Sequence, residues 1–141
     1  MQLLEKYLYN LSQIKSSGMA VNETSYYGTF EVFLNEIGSN LKPFVRAIIN
    51  PRNIGSGIPD GGLFTKDQFP KGEDRIEDFI GTPPSRGVIE IKGTSSKIED
   101  EGNSEQIKKY SKRYGQVLVT NYYQFLLVVK GENGNAKFLE Q

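Results

Sequence analysis

The stretch VIEIK, residues 88–92, predicts a short strand that lies between two glycines, over residues 87–93. Because successive side chains of a strand point to opposite faces, Val88, Glu90 and Lys92 share one face while the two isoleucines share the other. A carboxylate and an ammonium group therefore point into the same space. An isolated pair of this kind is usually an ion pair on a half-exposed strand, so its meaning depends on the rest of the chain.

The segments around this strand change their hydrophobic period along the chain and predict an α/β fold. The predicted elements are helices over 2–16, 24–37 and 103–114 and strands over 44–49, 58–65, 87–93, 116–120, 125–130 and 136–139. The order is α-α-β-β-β-α-β-β, with the last segment as one more strand. It implies a mixed central β-sheet flanked by helices.

The composition restricts the chemistry that this chain can perform. Its 141 residues, 37% hydrophobic and 24% charged, correspond to one globular domain. It contains no cysteine and no histidine, which excludes disulfide scaffolds, zinc fingers, thiol nucleophiles and the nucleases that depend on histidine. Any catalysis must therefore use carboxylates, lysines, tyrosines, hydroxyls, backbone groups or a metal with oxygen ligands.

The charges of the chain balance, because 17 basic residues stand against 17 acidic ones. No net positive charge points to a nucleic acid partner, although a metal-binding acidic site can offset a basic groove. The longest apolar run, residues 125–129, is far too short to cross a membrane, and the first residues lack the layout of a signal peptide. We therefore expect a cytoplasmic protein with no membrane partner.

An aspartate lies at an irregular point of the predicted strand 58–65. In this stretch Pro59 cannot donate a ladder hydrogen bond, and the two glycines after Asp60 permit bends or a close approach of another backbone. The ordinary interpretation of such an aspartate is a turn residue. The alternative is that the irregular backbone presents Asp60 to a site.

Two further polar side chains share a face of the predicted helix 103–114. Gln106 and Tyr110 are four residues apart, and Arg113 lies a further turn along. Tyr110 could equally be a core residue that packs beside Ile107 and Tyr114. Both interpretations stay open at this point.

An acid near the start of the second helix lies on its apolar side. Projected at helical spacing, Glu23 falls on the side of Phe30 and Leu34, whereas Glu31 falls nearer the edge of that stripe. Such an acid either complements the helix dipole or coordinates a metal, since unpaired burial is costly. Which of the two glutamates would serve a site stays open.

In this order the segments resemble the PD-(D/E)XK nuclease superfamily over about residues 22–130. Pro59-Asp60 with residues 90–92 matches the motif in its name, and Gln106 with Tyr110 matches the extra motif of its RecB-like branch. Residues 23–27, 57–60 and 120–122 look like the amino-terminal, Mrr-like or RecB-like nuclease domains of single-chain restriction-modification enzymes. The resemblance implies a restriction-endonuclease-like core and a metal-dependent DNA endonuclease.

The resemblance also implies roles for particular residues. Magnesium, with manganese as a substitute, would be held by Asp60, Glu90, the backbone carbonyl of Ile91 and Glu23. Lys92 would orient or deprotonate the attacking water, with Gln106 and Tyr110 positioning lysine, water or phosphate. The densest basic cluster would contact DNA phosphates, or is an ordinary solvated helix face; it comprises Lys108, Lys109, Lys112 and Arg113.

The domain organisation follows the same resemblance. Residues 1–21 form an N-terminal helical extension, 22–130 the nuclease core, and 66–86 a surface excursion that is long for the superfamily. The chain carries no methyltransferase motif, so it is expected to be an excised domain or a stand-alone relative. Expected partners are DNA, methyltransferase or helicase domains of a parent polypeptide, and a second copy for double-strand cleavage.

Two other functions compete with the nuclease. A catalytically inactive DNA-binding or assembly domain would keep the fold, but it gives no reason to retain Asp60, Glu90 and Lys92 together. A sugar hydrolase with two carboxylates would leave Lys92 and Gln106 unexplained, and the chain is short for a deep sugar cleft.

Overall fold

The structure is a computed structural model that describes residues 2–16, 26–49, 59–69, 83–131 and the backbone of 136–139. No helix within these ranges is long and apolar enough to cross a membrane. A 3₁₀ turn, Lys66–Gln68, follows the second strand. The other elements are α1 (Leu3–Ser16), α2 (Tyr27–Gly38), β1 (Val45–Ile49), β2 (Gly61–Thr65), β3 (Val88–Ile91), α3 (Ile98–Gly102), α4 (Glu105–Tyr114), β4 (Gln116–Thr120), β5 (Phe125–Lys130) and β6 (Ala136–Leu139).

The strands form one six-stranded sheet in which spatial order follows chain order. β3 and β4 are parallel, and every other neighbouring pair is antiparallel. A parallel pair needs a crossover connection, and α3 with α4 provides it. The predicted α/β class, with a mixed sheet flanked by helices, is confirmed, and it is consistent with a restriction-endonuclease-like core.

β3 contacts a different hydrophobic cluster on each of its faces. Ile89 and Ile91 pack against buried residues of α1 and α2. Val88 packs on the opposite face against buried residues of α4, β4 and β5. The predicted alternation of VIEIK is therefore confirmed, and it places β3 between two layers of helix.

α1 belongs to the same core as α2. Tyr7 and Leu11 are fully buried, and the Tyr7 ring stacks on Phe33 with 4.1 Å between centroids. The Tyr7 hydroxyl donates a hydrogen bond of 2.7 Å to the carbonyl oxygen of Tyr122. This helix therefore packs into the core through both apolar and polar contacts, although Leu4 and Leu8 remain exposed.

α2 covers the free edge of β1 with two polar side chains. The amide of Asn35 donates to the carbonyl oxygen of Ala47 at 2.9 Å and accepts from its N–H at 2.7 Å. Glu31 accepts a hydrogen bond of 2.7 Å from the Ile49 N–H. These bonds satisfy backbone groups that an edge strand would otherwise offer to another chain.

Several predicted boundaries differ from the structure. The second helix runs through Gly38 instead of stopping before it. The glycine serves close packing, because a β-carbon there would overlap the carbonyl oxygen of Val45. β1 and β3 are shorter than predicted: β1 begins at Val45, and β3 begins at Val88 and ends at Ile91. Ile37, predicted on the buried face of α2, is 38% exposed.

The predicted helix 103–114 is wrong at its start. It begins at Glu105, because the Ser104 side chain caps it by accepting a hydrogen bond from the Ile107 N–H at 3.2 Å. The residues before it form α3, which the sequence analysis does not predict. Its only apolar side chain is Ile98, so it offers no helical period to detect.

Only the two ends of the predicted surface excursion 66–86 are described, because residues 70–82 lie outside the described ranges. The Gln68 side chain joins these ends. Its amide nitrogen donates to the Pro83 carbonyl oxygen at 2.7 Å, and its oxygen accepts from the Ser85 N–H at 3.2 Å. The excursion therefore leaves and rejoins the sheet beside β2.

Candidate active site

Two carboxyl groups meet where β2 begins and β3 ends. β2 runs antiparallel to β3 with Gly61 opposite Ile89, and this register continues to place Asp60 beside Glu90. Asp60 accepts a hydrogen bond of 2.8 Å from the Ile91 N–H. Asp60 precedes β2 instead of lying within it as predicted. Its carboxylate accepts from a backbone N–H of β3 that would otherwise be free to pair with a neighbouring strand.

The glycine after Asp60 lets the strands come close at this point. A β-carbon on Gly61 would lie 2.8 Å from the carbonyl oxygen of Ile48 and 2.9 Å from the Ile49 side chain. Real side chains do not tolerate such distances to a backbone atom. The glycine after Asp60 therefore permits the close approach of β1 at the start of β2.

The Glu90 carboxyl is buried beside Asp60, and the residue is only 5% exposed. Burial raises its pKa to about 8, with further contributions from a side-chain hydrogen bond to Asp60 and from the charge of Asp60, while Lys92 opposes the shift. Near neutral pH this carboxyl therefore retains a proton in the metal-free protein. A cation bound between the two groups would replace that proton.

Lys92 directly follows β3 and continues its pairing with β4. Its N–H donates a hydrogen bond of 2.8 Å to the carbonyl oxygen of Thr120. Its Nζ lies 3.7 Å from the Glu90 Oε2, on the face that the alternation predicts. The same Nζ lies 3.7 Å from the Oε2 of Glu101. The ammonium group therefore lies between two carboxyl groups.

α4 brings Gln106 and Tyr110 to the same side of the sheet. The Gln106 amide donates a hydrogen bond of 3.1 Å to the Tyr110 hydroxyl. Burial raises the Tyr110 pKa to about 12, and the negative charge of Glu90 adds to that shift. The hydroxyl therefore stays protonated and lies within electrostatic reach of Glu90.

Both interpretations of Tyr110 describe part of its surroundings. Its ring is 5% exposed in the cluster with Ile107, and it meets the Tyr114 ring edge to face at 6.2 Å. Its hydroxyl end points toward polar groups through Gln106. Tyr110 is therefore a core residue whose polar atom is at the site.

Neither glutamate that the sequence offers as the helix acid is seen at the site in the described part of the chain. Glu23 lies outside the described residues, and the Glu31 carboxylate accepts the Ile49 N–H instead of joining Asp60 and Glu90. Within the described part of the chain there is no group of three aspartate, glutamate, histidine or cysteine residues that could hold a metal. The described carboxylate donors at the site are thus Asp60 and Glu90, with the Ile91 backbone beside them.

The four predicted DNA-contacting residues lie on α4, and all are exposed. Lys108 pairs with Glu105 at 3.7 Å, and the guanidinium of Arg113 lies 5.3 Å from the centre of the Tyr114 ring. Lys109 and Lys112 lie on the same helix. The helix that supplies Gln106 and Tyr110 thus also carries an exposed set of positive charges.

Two residues at this end of the sheet have no role assigned from the sequence, although one of them, Asn121, lies in the segment 120–122 that contributes to the resemblance. Glu101 lies on the unpredicted helix α3 and contacts Lys92. Asn121, 4% exposed, donates from its amide to the carbonyl oxygen of Ser96 at 3.0 Å, in the connection that follows Lys92. The sequence signal for Asn121 is a polar residue directly after the predicted strand 116–120, and no sequence signal exists for Glu101.

Comparison with known proteins bears on the fold of this chain. No family model matches it, and no curated protein is significantly similar to it. Among solved structures, it is similar to a chain of a cryo-EM structure of a DrdV–DNA complex, with a TM-score of 0.60 and 20% sequence identity. The match covers 98% of this chain and 12% of that chain. The likeness supports the fold, and the neighbour is a protein solved together with DNA.

Proposed function

We propose that this chain is a metal-dependent DNA endonuclease domain that hydrolyses phosphodiester bonds, as the restriction part of a restriction-modification enzyme. The observation that carries the proposal is the meeting of Asp60, Glu90 and Lys92 at one edge of the sheet. Asp60 is bound to a backbone group 31 residues further along the chain. Such a constellation matches, residue by residue, the motif of the superfamily that the sequence resembles.

The electrostatics of the pair favour a functional site over a structural one. A buried carboxyl beside a second carboxylate is costly for folding, as the raised pKa of Glu90 indicates. A purely structural polar pair would more cheaply be an acid and an amide. Perturbed carboxyl groups of this kind are concentrated at active sites.

The donor set fits a hard divalent cation. Asp60 and Glu90 offer carboxylate oxygens, which magnesium and manganese prefer, and the resemblance adds the Ile91 carbonyl and Glu23. When bound, such a cation neutralises charge on the phosphoryl group and lowers the pKa of water. The two carboxylates then have a positive partner, which removes the reason for Glu90 to keep its proton.

Lys92 is the residue placed to act on the attacking water. Its ammonium group lies on the Glu90 carboxylate at the edge of the site and remains 26% exposed, so solvent and substrate can reach it. A positive charge there stabilises the negative charge that develops on the phosphoryl oxygens. Gln106 and Tyr110 are joined by a hydrogen bond, and the Tyr110 hydroxyl lies within electrostatic reach of Glu90, so this pair would position lysine, water or phosphate.

DNA is the proposed substrate, and α4 is the proposed backbone contact. Its exposed cations flank the residues that reach the site. Because the whole chain has no net charge, we infer that other domains of a longer polypeptide supply much of the affinity for DNA. Methyltransferase or helicase domains are the expected ones, in line with the small share of the neighbour's chain that this chain matches.

The test is cleavage of supercoiled plasmid by the purified chain, or by its parent polypeptide, with magnesium or manganese. We expect nicked or linear DNA, and a loss of about 100-fold or more in Asp60→Asn and in Lys92→Met. Asp100→Asn, an exposed acid on α3, is the matched control and should retain activity. Cleavage that persists in both site variants would contradict the assignment.

A second candidate is a domain that keeps this fold and binds DNA or partners without catalysis. The observation that favours it is the lack of a third acid in the described part of the chain. It predicts a shift of DNA mobility in a gel without any cleavage in either metal. The plasmid assay therefore separates the two candidates.

A further inference from the structure

A second carboxylate holds Lys92 from the solvent side. The Lys92 Nζ lies 3.7 Å from the Oε2 atoms of both Glu90 and Glu101. The Glu90 side chain is 6% exposed, whereas that of Glu101 is 33% exposed. The Lys92 ammonium group thus contacts the buried Glu90 on one side and the partly exposed Glu101 of α3 on the other.

The position of Glu101 is fixed by the connection between Lys92 and α3. The Ser96 N–H closes a turn on the Gly93 carbonyl oxygen at 2.9 Å. The Ser96 carbonyl oxygen in turn accepts a hydrogen bond from the buried Asn121. Ile98, 5% exposed, anchors the start of α3 in the core below the sheet. The backbone that carries Glu101 is therefore tied to the same sheet that carries Lys92.

Glu101 differs from the other two acids of α3. Glu99 and Asp100 are fully on the surface, whereas Glu101 is half-buried against Lys92. Glu101 does not join Asp60 and Glu90 in a group of three acids that could hold a metal. Its contact with the site among the described residues is the ammonium group of Lys92.

We propose that Glu101 is a positioning residue that holds the Lys92 ammonium group at the scissile phosphate; the inference rests on the proposed function. A lysine side chain has four rotatable bonds, so one salt bridge leaves it several conformations. The Glu90 oxygen that contacts Lys92 belongs to a carboxylate needed for the cation. Once that carboxylate is engaged, Glu101 remains as the acceptor that keeps Lys92 in place.

The test compares Glu101→Gln with Glu99→Gln in single-turnover plasmid cleavage. We expect Glu101→Gln to lower the maximal rate by about 10- to 100-fold, as misplacement of a catalytic group does. The dependence on DNA concentration and on magnesium concentration should stay as in the wild type. Glu101→Asp, which keeps the charge on a shorter stem, should give an intermediate rate, and Glu99→Gln should match the wild type.

Each outcome separates the two levels of the proposal. If Glu101→Gln and Glu99→Gln cleave equally, Glu101 does not position Lys92, while the nuclease assignment stands. A shift in the magnesium midpoint without a fall in the maximal rate would make Glu101 a metal-binding residue and overturn the inference. If the wild type fails to cleave both as the purified chain and within its parent polypeptide, or cleaves no faster than Asp60→Asn, the proposed function fails and this inference fails with it.

Discussion

The two faces of β3 carry different kinds of core. On one face, Ile89 and Ile91 pack against α1 and α2 in a cluster dominated by aromatic rings. On the other, Val88 packs under α4, and the next inward residue of the same strand is the buried acid Glu90. One strand therefore serves packing on one side and a polar site on the other, and substitutions on the two faces should have opposite effects on stability.

The largest expected effect is on the aromatic face. Phe30 is fully buried, and its ring contacts the rings of Tyr7, Tyr122 and Phe125. Phe30→Ala removes a large apolar side chain and leaves a cavity, so it should lower the free energy of unfolding by about 3–5 kcal/mol. Urea unfolding followed by circular dichroism measures this change.

Val32→Ala is the matched control for that substitution. Val32 lies on the same helix and is 55% exposed, so its truncation should change the free energy of unfolding by less than about 0.5 kcal/mol. Equal losses in the two variants would mean that the aromatic cluster does not dominate the stability of this face.

On the polar face, the raised pKa of Glu90 should make the free energy of unfolding fall as the pH rises. The Glu90 pKa is raised from 4.5 to about 8, so the folded metal-free protein holds a proton that the unfolded chain has released. Below about pH 4.5 the proton is bound in both states and this contribution is fully present, and the free energy of unfolding then falls as the pH rises toward 8, with a slope on the order of 1 kcal/mol per pH unit. Urea unfolding in a chelator at pH 5, 6, 7 and 8 measures the slope.

The composition makes this slope easy to assign. The chain has no histidine, so no other side chain has its ordinary pKa between pH 5 and 8. Glu90→Gln should remove the slope and make the metal-free protein more stable than the wild type at pH 8. Glu36→Gln, at an exposed ion pair with Lys6, should leave the slope unchanged. A slope that survives in Glu90→Gln would show that another group causes it.

The contrast between the faces also explains what the sequence could predict. β4 and β5 begin and end at the predicted residues, because each contains an apolar run, residues 117–119 and 125–129, that polar or glycine residues flank. The alternation of β3 needs only a period of two. These elements are determined by local pattern, so the layers of the fold follow from sequence.

The polar site depends more on contacts that local pattern does not show. The place of Asp60 beside Glu90 follows from the register of β2 on β3, and sequence indicated only its motif. Glu101 reaches Lys92 because α3 exists, and the five residues of α3 have no apolar period. The sequence does not decide whether Glu31 is a site acid, because it cannot show that the Glu31 carboxylate binds the edge of β1.

The smallest expected effect on stability concerns a hydrogen bond between α1 and the turn that joins β4 to β5. Tyr122 has a positive φ of 79°, which is uncommon outside glycine, and its carbonyl oxygen accepts the Tyr7 hydroxyl at 2.7 Å. Tyr7→Phe keeps the ring stacked on Phe33 but leaves that buried oxygen without this donor. The free energy of unfolding should fall by about 1 kcal/mol, measured by urea unfolding.

Tyr7→Phe also tests whether loss of its hydrogen bond to Tyr122 affects the candidate active site. Asn121, the residue before Tyr122, accepts the N–H groups of Tyr123 and Gln124 and donates to Ser96, and none of these bonds involves Tyr7. Tyr7→Phe should therefore cost stability without changing the rate of plasmid cleavage, while Tyr9→Phe, at an exposed ring, should change neither. A slower rate in Tyr7→Phe would mean that packing on the aromatic face also sets the position of the connection behind Lys92.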